Sequence, residues 1–388
     1  MKRQKGGGLT ISERVTRSTT TLDRNSLTLP VEVVTEIFLR LPLKYIARCR
    51  CVCKLWSSVL RSQDFTDAFF TKSCARPRLL FACTDYTQIR FFSSSQPKHP
   101  KDNSYVVATN RMARPPGYDK LFGCTNGFFC YGGTQGRNKP VLVTVICNPS
   151  TGQSLTLPRL NSKDNYGVES YLGYDPIAKE FKVLSLRDGK EFHVLTLGTK
   201  KLSWRVVECC IPHCSSCCKW ICISGVLYYI ARESRSSVES MVVCFDLRTE
   251  KFSSVKLLGG FNKALPHSTT LINYNGRLGL LMSSSYVSRS WKSFKLWVLR
   301  GDSEREWSNR VYVLPPLWKD VVSDYMRIAG MVGTNEIVLV TYQRVPSYVI
   351  YYNVKSKTIR KVGIQGLATF RGATIDTYLN YVENVELL

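Results

Sequence analysis

The sequence predicts a multidomain fold: a small all-α unit of three helices over residues 26–70, followed by an all-β, propeller-like repeat domain over residues 78–388. Three observations predict it. Apolar residues recur at helical period up to about residue 60, and the period changes from 3.6 to 2 from about Arg78 onward. The β-rich part also repeats, with a spacing of about 50 residues. Residues 1–25, rich in Gly, Ser, Thr and Arg, are predicted to be a flexible basic arm.

The first predicted helix begins at Pro30 and ends near Leu41. Proline suits a helix start, because its missing N–H has no partner in the first turn, and Pro42 disfavours helical geometry in the residue before it. Its apolar stripe consists of Val33, Val34, Ile37, Phe38 and Leu41.

Two more short helices are predicted, one from Leu43 to Cys49 and one that carries the apolar residues Val52, Leu55, Trp56, Val59 and Leu60. A unit this small buries too little apolar surface to be stable alone. We therefore expect part of its apolar surface to contact another molecule or domain.

The β-rich region contains two recurring elements. A hydrophobic strand that ends in a turn finishes at residues 148, 197, 246, 299 and 353, and the first three ends are 49 residues apart. A turn that opens a strand recurs at Asn126-Gly127, Gly173-Tyr174-Asp175-Pro176, Ser224-Gly225, Asn275-Gly276 and Gly333-Thr334-Asn335. This period, with several strands per unit, is typical of propeller blades of the kelch type, about six or seven of which fit the region. An irregular β-sandwich with coincidental spacing is the alternative.

The composition indicates which kinds of binding partner and which cellular compartment to expect. Lys and Arg number 54 against 29 Asp and Glu, a net charge of +25, which favours an acidic protein, nucleic acid or an anionic surface. No apolar run approaches the ~20 residues of a membrane span, and no hydrophobic segment follows the basic N-terminus, so neither a membrane nor a secreted protein is expected. Fifteen cysteines, an odd number, then indicate reduced thiols in the nucleus or cytoplasm.

Particular motifs identify the helical part. The run from Leu29-Pro30 to Leu41-Pro42, together with the closing Arg48-Cys49-Arg50-Cys51-Val52-Cys53-Lys54-Leu55-Trp56, resembles the F-box. The β region resembles the F-box-associated domain of a large family of plant F-box proteins, through Gly173-Tyr174-Asp175-Pro176, Ser203-Trp204-Arg205 and the closing Tyr381-Val382-Glu383-Asn384-Val385. The resemblance covers nearly everything after residue 26.

The resemblance implies a function. It is that of the non-catalytic substrate-recognition subunit of an SCF (Skp–cullin–F-box) ubiquitin ligase, which binds a Skp-type adaptor, and through it a cullin, by the F-box. The β domain binds the protein to be ubiquitinated, and no cofactor is expected. Binding of a helical unit to a partner needs apolar anchors with a polar surround. The residues expected to bind the adaptor are Leu29, Pro30, Ile37, Leu39, Leu41, Pro42, Val52, Cys53 and Trp56. Val33, Val34, Phe38 and Leu55 are expected to hold the helices together instead.

The sequence gives less support to a zinc site, to nucleic-acid binding and to a hydrolase. Cys210, His213, Cys214 and Cys217 include ligand types and a spacing that suit zinc, but no second pair accompanies them, so free thiols in a loop between blades are favoured. A basic nucleic-acid-binding β-repeat protein is the alternative function, although the sequence has no zinc-finger, helix-turn-helix or ribonucleoprotein motif. None of the four histidines lies in a hydrolase or metalloprotease motif.

Overall fold

The computed structural model describes most of the chain from residue 29 onward. The described residues are 29–85, 88–97, 105–107, 109–111, 120–135, 141–160, 168–187, 191–234, 236–237, 239–257, 265, 268–282, 287–301, 306–322, 325–341, 348–367 and 374–386. The predicted arm of residues 1–25 lies outside them.

Between residues 29 and 77, all of which are described, the chain forms four helices rather than the predicted three. They are α1 (Val31–Arg40), α2 (Leu43–Cys49), α3 (Lys54–Val59) and α4 (Gln63–Cys74). Helix α4 was not predicted, although its start carries a recognisable signal. The Ser62 hydroxyl accepts a hydrogen bond from the Phe65 backbone N–H at 3.3 Å, which caps the helix. The prediction that α1 ends at Leu41 is confirmed, because Leu41 has extended geometry.

Aromatic side chains form the core of the helical part. Phe38 of α1 is buried, and its ring packs edge-on against Trp56 and Phe65, with centroids 5.1 and 6.5 Å away. Val385, from the far end of the chain, is buried in the same core. Part of the apolar surface of the helices therefore meets the β domain, as the small size of the unit predicts.

The rest of the described chain is almost entirely β-structure. The strands are β1 (Arg78–Asp85), β2 (Gln88–Ser95), β3 (Tyr105–Val107), β4 (Thr109–Arg111), β5 (Lys120–Thr125), β6 (Phe128–Gln135), β7 (Val141–Asn148), β8 (Gln153–Thr156), β9 (Val168–Asp175), β10 (Glu180–Arg187), β11 (Glu191–Thr196), β12 (Arg205–Val207), β13 (Cys214–Ile223), β14 (Val226–Arg232), β15 (Ser240–Asp246), β16 (Phe252–Lys256), β17 (Thr270–Tyr274), β18 (Arg277–Met282), β19 (Ser293–Leu299), β20 (Trp307–Val313), β21 (Met326–Val332), β22 (Glu336–Thr341), β23 (Tyr348–Asn353), β24 (Thr358–Gln365) and β25 (Thr374–Tyr381). One short helix, α5 (Trp318–Val321), interrupts them.

The strands form six sheets, antiparallel except for the pairing of β3 with β24, and these sheets are the blades of a propeller. In strand order from the inside outward, blade 1 is β25-β1-β2-β4, blade 2 is β5–β8, blade 3 is β9–β12, blade 4 is β13–β16, blade 5 is β17–β20 and blade 6 is β21–β24 with β3 beside it. The innermost strands contact one another in sequence from β5 to β25. The predicted propeller is therefore confirmed, with six blades, and the alternative of an irregular sandwich is wrong.

Two segments close the ring. The last strand, β25, pairs with β1 as the innermost strand of blade 1, with Tyr381 opposite Arg78. In addition, β3 runs parallel to β24 in blade 6, while β4, two residues later in the chain, pairs with β2 in blade 1. Blades 1 and 6 are thus joined at both the inner and the outer edge.

The two repeated sequence elements are the turns at one end of the blades. Asn126-Gly127, Ser224-Gly225 and Asn275-Gly276 each have positive φ at both residues, as two-residue hairpin turns between twisted strands require. They join the first and second strands of blades 2, 4 and 5. The second element ends the third strand with Asn148, Asp246 or Asn353, whose side-chain oxygen accepts backbone N–H groups two or three residues later.

A buried ion pair joins blades 3 and 4. The Lys182 ammonium lies 2.8 Å from a Glu250 carboxylate oxygen and 2.7 Å from the Leu247 carbonyl oxygen. Arg205, also in blade 3, binds the same carboxylate. The hydrogen bond from Arg205, followed by that from Lys182, holds the pKa of Glu250 below its usual value despite the opposing effect of burial.

We expect Glu250→Gln to lower the melting temperature at pH 7 and to have progressively less effect in acid. Since the folded-state pKa is depressed, the ionised carboxylate stabilises the fold above its unfolded pKa of about 4.3, and this contribution disappears as the pH falls through the lower folded value. Thermal unfolding of both proteins between pH 7 and pH 3.5 measures it. Glu306→Gln, at an exposed glutamate, is the control. A difference in melting temperature that stays constant with pH would contradict the expectation.

We also expect Gly127→Ala to destabilise the protein more than Gly276→Ala. Both glycines have φ near +80°, at +87° and +80°, and an alanine there costs about 1 kcal/mol or more in backbone strain. Only at Gly127 would the added Cβ also collide, 2.6 Å from the Val382 carbonyl oxygen and 2.8 Å from the Asn384 Cβ; at Gly276 nothing lies within 4 Å. Equal shifts in melting temperature would mean that the contact with residues 382–384 is loose.

Candidate functional site: an exposed apolar surface on the helices

Exposed apolar side chains are concentrated on the first three helices. Half of the large hydrophobic residues that are exposed in the described structure lie between Leu29 and Leu55. They are Leu29, Val31, Val33, Ile37, Tyr45, Val52 and Leu55, with exposed fractions from 39% to 62%. We call this set the helical apolar surface. Its density within so short a segment is typical of a surface that binds another protein.

Three of the predicted adaptor-binding residues belong to the helical apolar surface: Leu29, Ile37 and Val52. Three others, Leu39, Leu41 and Trp56, are half-buried and pack against the core around Phe38. Substitution of these three residues would therefore affect folding of the helices as well as any contact with a partner.

The remaining three predicted residues cap helices. Pro30 and Pro42 directly precede α1 and α2, and both are exposed. The Cys53 sulfur accepts a hydrogen bond from the Trp56 backbone N–H at 3.4 Å, at the start of α3. Substitution of Cys53 would therefore affect the beginning of α3 as well as the surface.

Two of the residues that were expected to hold the helices together lie on the surface instead. Val34 and Phe38 are buried as expected, but Val33 and Leu55 are 43% and 49% exposed. Residues four apart share one face of a helix, so α1 carries two apolar stripes, Val34 with Phe38 inward and Val33 with Ile37 outward. Sequence periodicity alone did not decide which stripe faces the core.

Basic side chains lie beside the helical apolar surface. The Lys44 ammonium and the Arg48 guanidinium are 4.9 and 5.8 Å from the centre of the Tyr45 ring, a favourable cation–π arrangement. Lys54, at the start of α3, is exposed as well. This rim is positive and would favour an acidic partner.

The C-terminal segment connects the helices to the propeller. The Arg50 guanidinium donates hydrogen bonds to the carbonyl oxygens of Leu60 and Val385, at 3.0 and 2.7 Å, and Val385 itself is buried among the helices. Asp67 of α4 also forms an ion pair with Lys179, in the first turn of blade 3. The helical apolar surface is thus held in a defined position relative to the propeller.

Asn148 and Asn384 fix the C-terminal segment on blade 2, and both are buried. The Asn148 side-chain amide donates to the carbonyl oxygens of Asn384 and Glu386, at 3.1 and 3.0 Å. The Asn384 amide donates to the Asn126 carbonyl oxygen at 3.1 Å. A polar depression of about 100 Å³ lies beside this segment, next to α4. It is smaller than the roughly 300 Å³ of ordinary ligand sites.

The cysteine-rich segment has a different structure from the predicted loop. Cys210 and His213 lie in the connection between blades 3 and 4, but Cys214 and Cys217 belong to β13. Both ring nitrogens of His213 lie within hydrogen-bond distance of protein oxygens, Nδ1 at 2.8 Å from the Ile211 carbonyl and Nε2 at 2.7 Å from the Tyr229 hydroxyl. In this arrangement His213 has no nitrogen left for a metal. In the described part of the chain, no three His, Cys, Asp or Glu side chains lie close enough to bind one.

We expect Arg50→Gln to loosen the helices from the propeller without unfolding the blades. Hydrogen bonds from a charged group contribute about 1.5–3 kcal/mol each, and both acceptor carbonyls lose theirs. Hydrogen exchange should therefore speed up in α3, α4 and residues 382–386 and stay unchanged in blade 5. Arg40→Gln, on the exposed face of α1, is the matched control. Unchanged exchange in the helices of the Arg50 variant would show that the connection does not depend on this guanidinium.

Comparisons with known proteins agree with this architecture. Residues 26–67 match the family described as "F-box domain", and residues 78–382 match the "F-box associated beta propeller domain". The match names a propeller family but not the kelch type.

Curated relatives cover nearly the whole chain. F-box protein DOR of Arabidopsis thaliana is 46% identical over 383 residues, which is 94% of this chain and 95% of its own. A second F-box protein of the same plant is 46% identical over 97% of this chain and 96% of its own.

Solved structures are more distant. TolB from Acinetobacter baumannii aligns with 84% of this chain and 73% of its own at 8% identity, with a TM-score of 0.41, a similarity too low to carry a functional conclusion. No helix in the described ranges is long and apolar enough to cross a membrane.

The two family matches divide the chain as the structure does, into helices with an exposed apolar surface and a six-bladed ring, and relatives at 46% identity keep both parts. This chain therefore belongs to the F-box protein family, to the members in which an F-box-associated β-propeller follows the F-box.

Proposed function

We propose that this protein is the substrate-recognition subunit of an SCF ubiquitin ligase. The helical apolar surface binds a Skp-type adaptor, which connects the chain to a cullin, and the propeller binds a protein substrate that is then ubiquitinated. The chain itself acts by binding and not by catalysis, without a cofactor, in the nucleus or cytoplasm.

The observation that supports this proposal most is the composition of the helical apolar surface. Ile37 and Val52 are 46% and 62% exposed, although side chains of this kind are normally inside a fold. Burial of an aliphatic side chain contributes about 1.5–3 kcal/mol. A partner that covers several of them gains enough to form a stable complex.

The connection through Arg50 and Val385 supports the second part of the proposal. A substrate receptor has to hold its substrate at a definite distance from the rest of the ligase. In this chain the propeller and the helices share a hydrophobic core at Val385 and an ion pair at Lys179, so a substrate on the propeller has a defined position relative to the adaptor.

We expect the double variant Ile37→Ser/Val52→Ser to lose adaptor binding while the propeller stays folded. Each interface anchor contributes about 1–2 kcal/mol, so the dissociation constant should rise at least about 30-fold. Calorimetric titration of the full chain with a purified plant Skp-type adaptor measures this. Leu29→Ala/Pro30→Ala changes the start of the same surface and should abolish the pull-down of the adaptor while the β domain stays folded.

The matched control makes the same changes at two other exposed apolar residues, Val206→Ser/Leu317→Ser. These positions lie on the propeller and are 68% and 67% exposed. The control should bind the adaptor like the unchanged protein. If the helical variant and the control bind the adaptor equally well, the assignment of the surface is wrong.

A further inference from the structure

Three arginines border an open depression of about 500 Å³ on blade 5. Arg277 lies at the start of β18, Arg300 directly after β19 and Arg310 in β20. Tyr274 and Ser308 also line the depression. We call this depression the blade 5 arginine pocket.

The register of the sheet places these arginines on one face. Gly279 lies opposite Val298, which lies opposite Ser308. Residues two apart in a strand share a face, so Arg277, Arg300 and Arg310 point to the same side as this row. The same face carries Leu296 and Val298, which pack against blade 6. The pocket is therefore at the end of the contact between blades 5 and 6, with an apolar floor at Val298.

The positive charges of the pocket have no acidic partner in the described structure. Ion pairs do engage other arginines of the propeller: Arg187 with Glu191, Arg205 with Glu250 and Arg327 with Asp376. By contrast, no described carboxylate lies within ion-pair distance of Arg277, Arg300 or Arg310. Three like charges around one depression repel one another, and a bound anion would remove that repulsion.

One of the three guanidinium groups is held in place. Arg310 donates a hydrogen bond to the Tyr274 hydroxyl at 2.8 Å, and its guanidinium carbon lies 5.5 Å from the centre of the Tyr274 ring. An arginine fixed in this way loses less conformational entropy when it binds a ligand. The Ser308 hydroxyl donates its hydrogen to the Val298 carbonyl oxygen at 3.2 Å, so the arginines supply the donors of the pocket.

The chemistry of the pocket suits an oxyanion. Guanidinium groups match carboxylate and phosphate oxygens in geometry and bind them with paired hydrogen bonds. A volume of about 500 Å³ is in the range of ligand sites and accommodates an acidic side chain with its neighbours in a peptide. Binding of nucleic acid, in contrast, is built from phosphate contacts repeated along a strand, whereas these arginines surround one spot.

The position of the pocket leaves it accessible in the assembled protein. The helices and the C-terminal segment lie at the turn ends of blades 2 and 3, where Asn384 bonds to Asn126 and Asp67 of α4 pairs with Lys179. The turn Asn275-Gly276 is the equivalent turn of blade 5, three blades around the ring from blade 2. The pocket therefore opens toward the same end of the propeller as the helices, on the opposite side of the ring.

We propose that the blade 5 arginine pocket binds a carboxylate or phosphate group on an acidic segment of the protein substrate. This inference rests on the proposed function, because it names the chemical class of substrate that the propeller selects. The net charge of +25 would speed the encounter with such a segment, and the pocket supplies the specific contact.

The test compares three peptide pools, each with random flanking residues and a fixed central phosphoserine, glutamate or serine. Fluorescence anisotropy measures their binding to the full chain, both alone and after addition of a Skp-type adaptor. We expect the phosphoserine pool, the glutamate pool or both to bind, and the serine pool to bind at least about tenfold more weakly. The ratio between the first two pools identifies phosphate or carboxylate as the preferred source of the anion.

Variants locate the binding. Arg277→Gln/Arg300→Gln/Arg310→Gln should weaken binding of the anionic pool about tenfold or more. The corresponding triple Lys variant should show an intermediate loss, because it keeps the charge without the planar fork. The control Arg248→Gln/Lys355→Gln/Lys357→Gln removes the same charge at three exposed positions and should bind like the unchanged protein. Melting temperatures of all variants verify that they fold.

Several results would overturn the inference. Equal binding of the serine pool, or equal loss in the control and the arginine variant, would mean that no specific anion site exists. Selective loss of binding to a single-stranded oligonucleotide, with peptide binding unchanged, would assign the pocket to nucleic acid. Adaptor binding, measured on the same samples, separates the two proposals: it should be the same in every variant, and its absence in the unchanged protein would refute the ligase function but not the anion site.

Discussion

The antiparallel pairing of β25 with β1 is the contact on which the rest of the structure depends. It joins residues almost 300 positions apart, with Tyr378 opposite Leu80, and closes the ring of six sheets at its inner edge. The chain that follows β25 then crosses to the helices, where Val385 is buried. The residues that close the ring are therefore followed directly in the chain by the residue that attaches the helices.

Much of the fold could be predicted from the sequence, because its signals are local. The positive φ angles at Asn275 and Gly276 belong to a turn that the residue pair itself favours, and the side chain of Asp246 bonds to its own turn. Such elements recur wherever their residues recur, so the repeat was visible at a spacing of 49 residues. The helix α4 was missed, although Ser62 and Phe65 give it an ordinary start.

What the sequence did not reveal depends on contacts between distant residues. Val33 and Val34 are equally apolar neighbours, and only the packing around Phe38 decides which of them is buried. Likewise, Arg277, Arg300 and Arg310 lie on three successive strands and meet only because β18, β19 and β20 pair in one register. The position of Val385 in the helical core has no local signal at all. Patterns along the chain predict elements, whereas sites that draw on several elements require the register of the sheets.

The burial of Val385 also has a consequence for synthesis of the chain on the ribosome. The helices emerge first, but one part of their core comes from a residue that is made more than 300 positions later. Until then the nascent protein exposes both the edge of β1 and a gap between the helices. A chain that stopped before residue 374 would lack both contacts, whereas one that stopped just after Tyr381 would keep the closed ring and lose only the contact at Val385.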